Sequence, residues 1–89
     1  MLNTFSKKRE QKTTARAIDH FDKAIKSLNG KLFKQAMIEF NNALKLDVET
    51  IGLKLEKEFK NYHDAGEMEA AFSMGGVLFK VKNKDHQFA

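Results

Sequence analysis

The chain has 89 residues, a formal net charge of +4, and neither cysteine nor proline. That length suits one small domain with a core of marginal size, and the missing cysteines exclude disulfides, thiolate metal sites and thiol nucleophiles. With 42% apolar and 31% charged residues, the chain is expected to fold.

At the start, Lys7, Lys8, Arg9, Lys12 and Arg16 face a single acid, Glu10, while the rest of the chain is charge-balanced. The whole excess therefore lies within residues 1–16, and the chain divides into a basic arm, residues 1–13, and a helical domain over residues 14–89. Such an arm can touch phosphate backbones or anionic lipid. It lacks the aromatic residues that single-strand binders interleave with their charges, so a solvated terminus is the plainer reading. No apolar run reaches the length of a membrane span. The opening "MLNTFSKKRE" carries its charges after its apolar residues, the reverse of a signal peptide. The cytoplasm is the expected compartment.

Apolar residues at three- and four-residue steps predict four helices and no strand. The first covers about Thr14 to Leu28, through Ile18, Phe21, Ala24 and Ile25. Asn29-Gly30 is expected to end it, since both residues tolerate the left-handed backbone of a helix terminus. The second covers about Leu32 to Leu46, with Phe33, Ala36, Met37, Phe40, Ala43 and Leu44 on one face. The third runs from about Ile51 to His63, with Thr50 expected as its N-cap. Ala65-Gly66 makes the next turn. The fourth covers about Glu67 to Lys82, through Met68, Ala71, Phe72, Leu78 and Phe79.

Gly75-Gly76 inside the last helix costs about 1 kcal/mol per glycine relative to alanine. The pair implies either a closely approaching neighbour or a kink, and the close approach is the expected cause. Short turns predict antiparallel pairing, first helix with second and third with fourth.

"GKLFKQAMIEFNNALKLD" and "AGEMEAAFSMGGVLFKVKNKD" echo each other at an offset of 35: Ala36-Met37 with Ala71-Phe72, Leu44 with Phe79, Leu46 with Val81. On these residues the chain resembles a tetratricopeptide-repeat protein, whose period is about 34 residues. The two units would cover about 14–48 and 50–84. The resemblance implies an all-α fold of two helix-turn-helix hairpins in which Ala36 and Phe40 pack into the preceding helix. The departures are the absence of tryptophan, the absence of a closing proline (Val48 stands there in the first unit), Phe59 where a small residue is usual, and Gly75 where the first unit has Phe40. An antiparallel four-helix bundle with coincidental spacing is the competing architecture.

The resemblance implies a non-enzymatic binding module for a protein or peptide. On its concave side stand His20, Lys23, Ser27, Lys57, Lys60 and Asn61, without the Lys/Asn/Arg set that clamps a peptide carboxylate. Repeat units bury their apolar faces on the next unit, so a face formed by Phe72, Leu78, Phe79 and Phe88 is expected to associate with a partner or a second copy. A nucleic-acid-associated protein using Lys7, Lys8, Arg9, Lys12 and Arg16 is the alternative. Met37, Met68 and Met74 read as core filler. His20, His63 and His86 form no ligand pair on one helix face, and Ser27 and Ser73 have no evident base. No cofactor, metal or catalytic residue is expected.

Overall fold

The computed structural model describes the backbone of residues 2–88 and the side chains of residues 12–81. It is all-α, with four helices: α1 (Leu2–Asn29), α2 (Phe33–Leu46), α3 (Val48–Asp64) and α4 (Met68–Phe88). α1 packs along α2 and α3 along α4, while α2 also touches both helices of the second pair and α1 touches α3.

The first helix starts twelve residues earlier than expected. Residues 2–29 contain neither glycine nor proline, so nothing in the backbone stops the helix from extending through the basic segment. Periodicity missed this stretch because it has too few apolar residues to show any.

Both hairpin turns close in the same way. Leu32 N–H donates to the Ser27 carbonyl at 2.8 Å and Lys31 N–H to Leu28 at 3.0 Å; in the second turn Glu67 donates to Tyr62 at 2.9 Å and Gly66 to His63 at 3.1 Å. These paired bonds are the Schellman arrangement, which needs one left-handed residue. Gly66 supplies it in the second turn, with φ 80°. In the first turn the residue is Lys31, with φ 64°, and not Asn29 or Gly30 as the sequence suggested. The bonding pattern fixes the position, and the glycine stands one place too early.

α2 and α3 meet at a single residue. Asp47 donates its N–H to the Ala43 carbonyl at 3.1 Å, and its Oδ1 accepts the Thr50 N–H at 3.1 Å. Asp47 is therefore the N-cap of α3; Thr50 sits three residues inside and supplies the capped amide.

The core repeats. Ala17 and Ile51, Phe21 and Leu55, Ala36 and Ala70, Phe40 and Met74, Ala43 and Val77 are all buried, and each pair is 34 residues apart. The offset of 35 seen in the sequence instead matches half-buried Met37 and Leu44 with exposed Phe72 and Phe79. It does describe the turns, whose bonds recur at 35. The second turn is displaced by one residue while the cores keep step, so Met74 takes the place of Phe40. The Phe40 ring lies 5.4 Å from that of Phe21 in α1, tilted by 59°, the packing expected of Ala36-x3-Phe40.

α1 and α3 lie side by side in one register. Thr14 Oγ1 donates to Asp47 Oδ2 at 2.7 Å, the Lys54 ammonium lies 5.9 Å from the Phe21 ring centroid, and Tyr62 Oη donates to Asn29 Oδ1 at 2.9 Å. Every one of these contacts spans 33 residues. A constant separation over four turns requires parallel helices, because antiparallel neighbours would change it by two for every step.

Candidate protein-binding face

The exposed arc of α4 contains Met68, Glu69, Phe72, Gly76, Phe79 and Lys80. On a helix of 3.6 residues per turn, Met68, Phe72 and Phe79 share one stripe, Gly76 sits beside Phe72, and Glu69 and Lys80 flank the stripe on the side nearer α2. The Phe72 side chain is 84% exposed, Phe79 66% and Met68 54%. Phe72 is the most exposed of the large apolar side chains described, and Phe79 stands on the same stripe. Phe33 of α2 closes a shallow hollow with Met68, Phe72 and Ser73 at one end of the stripe.

The other members of the expected face stand elsewhere. Leu78 is buried in the core, one helical step away from Phe79, and cannot share its surface. The Phe88 side chain lies outside the described residues. Met68, expected in the core, is in the exposed stripe; Met74 is buried and Met37 half-buried.

What turns α4 this way is the contact at Gly75. A Cβ there would stand 3.1 Å from the Phe59 ring, whereas one at Gly76 meets nothing within 4 Å. The two glycines thus differ in kind. Gly75 admits the large Phe59 of α3, the close approach expected from the sequence, and α4 runs on without a break. Gly76 leaves a gap in the outer face.

The residues assigned to a concave side are divided. Lys23, Lys57, Lys60 and Asn61 are exposed and Ser27 is half-buried. In the α1–α3 register, Ser27 lies level with Lys60. Lys23 pairs with Asp19 at 3.3 Å, and Asn61 donates to Glu58 at 3.5 Å. His20 departs from this strip: its Nδ1 lies 2.8 Å from Glu39 Oε2 of α2, so it ties the first hairpin together. Lys12 and Arg16 are exposed one turn apart on α1; the side chains of Lys7, Lys8 and Arg9 lie outside the described residues.

Among the described residues the Thr14 hydroxyl donates to the Asp47 carboxylate. Hydrogen bonds from the Thr14 hydroxyl and then the Thr50 amide hold the Asp47 carboxyl below its ordinary value of 3.8. A carboxylate stabilised in this way is a poor base, and its bonds serve the helix joint. Burial, with the negative charges of Glu58 and Glu67, raises Tyr62, against the Asn29 bond that lowers it. Among the described residues no cluster of three His, Cys, Asp or Glu side chains can hold a metal ion. No helix there is long and apolar enough to cross a membrane. Ser73 Oγ donates to the Glu69 carbonyl at 3.1 Å, an ordinary back-bond along α4.

Comparison with family models, with curated proteins and with solved structures gives no match in any of the three.

Proposed function

We propose that the protein is a non-enzymatic interaction module of tetratricopeptide-like type, working in the cytoplasm, that binds a protein partner through the outer face of α4. The observation that carries this reading is the exposure of Phe72 and Phe79 on one stripe. Burying each ring would recover on the order of 2 kcal/mol of transfer free energy, so a surface that leaves both in water gains from being covered. The tetratricopeptide-like part of the reading is supported by core positions that recur 34 residues apart and by parallel first helices, α1 beside α3.

The test compares wild type with Phe72→Glu and Phe79→Glu in affinity capture and in light scattering, with helicity followed by circular dichroism. Both side chains point outward, so helicity is expected to stay unchanged while whatever the wild type binds, itself included, is lost. Binding that survives both substitutions would remove α4 as the contact and the reading with it.

A further inference from the structure

Resting on that reading, we propose that the occupant of the α4 face is a second copy of the chain, its α4 lying antiparallel across a two-fold axis near residue 74. The argument is self-complementarity. In a two-fold dimer each residue meets one equally far on the other side of the axis, and the flanks of the two helices stay matched.

Centred on residue 74, the exposed arc pairs with itself. Phe72 comes opposite Gly76 of the second copy, where a Cβ would meet nothing within 4 Å and a ring can settle. Met68 comes opposite Phe79, apolar against apolar. Glu69 comes opposite Lys80 on the flank nearer α2, joining opposite charges twice in one interface. Three independent pairs share the same centre to within half a residue, and no parallel arrangement gives these matches. The rings and Met68 supply roughly 400 Å² of apolar surface per copy at these exposures. That is about half of a standard interface side, so the expected association is micromolar rather than nanomolar.

Gly76→Gln tests the seat of Phe72. In the single chain the new side chain has room and favours the helix, so folding is retained; across the axis it fills the hollow. The charge pairs give a second, independent test. Glu69→Lys alone sets lysine against lysine at both sites, and Lys80→Glu alone sets glutamate against glutamate. Mixed in equal amounts, the two variants form a heterodimer with both pairs attractive.

By light scattering at about 200 μM, wild type is expected as a dimer and Gly76→Gln as a monomer, with association at least tenfold weaker. Each charge variant alone is weakened about three- to tenfold at low salt, and their mixture regains association. A monomeric wild type, a dimeric Gly76→Gln, or a mixture no stronger than its components would overturn the proposal. A monomeric wild type that still captures a different protein, and loses it on Phe72→Glu, would sink this inference and leave the interaction reading standing.

Discussion

Lys31 carries a strain that its neighbours could have avoided. An L-residue with a Cβ is disfavoured by about 1–2 kcal/mol in the left-handed region, and Lys31 sits there while Gly30 occupies an ordinary backbone position beside it. The second turn shows the relaxed solution, with Gly66 at the corresponding place. Lys31→Gly is therefore expected to stabilise the protein by about 1 kcal/mol, after allowing for the greater freedom of glycine in the unfolded chain. A thermal melt at low protein concentration checks it, and an unchanged or lower midpoint would count against the Schellman assignment. The sequence hid this position because asparagine and glycine next to each other look like the terminus; only the carbonyl each amide reaches tells which residue must turn.

The helix scale is where α4 sets most of the outcome. Its two adjacent glycines are indistinguishable as letters, but one faces Phe59 and the other faces outward. Gly76→Ala should stabilise the monomer by about 1 kcal/mol through helix propensity alone. Gly75→Ala gains the same propensity and then pushes the Phe59 ring, which must give by a few tenths of an ångström; it is expected to fall about 1 kcal/mol short of its neighbour. Denaturant titration of the two variants separates them, and equal values would mean that Phe59 does not fix the rotation of α4. That rotation also explains what could be read in advance. The existence and pairing of the helices follow from apolar spacing, which is strong from Ile18 to Leu44. The outward position of Met68 and the burial of Leu78 depend on a turn of α4 by one residue. Ala70 and Ala71 are both buried, so letter matching favoured Ala36 with Ala71 and the wrong register, whereas packing pairs Ala36 with Ala70.

For the whole molecule, Asp47 is the point where three helices meet, closing α2, capping α3 and receiving the Thr14 hydroxyl of α1. Its carboxyl is held below 3.8 in the folded protein by those hydrogen bonds. A lowered folded value means that the folded state holds its proton less tightly than the unfolded chain does. The stability this contributes is complete above the unfolded value and is lost as pH falls through the folded one. Wild type should lose stability as pH falls through and below 3.8 more steeply than Asp47→Asn, which keeps a capping side chain but no titrating group. Parallel acid profiles for the two proteins would show that the joint bears none of the acid sensitivity.

One repeat later the equivalent positions carry different side chains. Thirty-four residues on from Thr14 and Asp47 stand Val48 and Val81, which line the same clefts between α4 and its neighbours. At the first pair of positions a carboxylate accepts hydrogen bonds that acid weakens; at the second stand two valines, Val48 exposed and Val81 half-buried, with nothing there to protonate. Acid therefore acts on the first of the two repeated positions and leaves its counterpart untouched. A chain whose core recurs every 34 residues thus carries, at this one position, a response to acid that the repeat does not share.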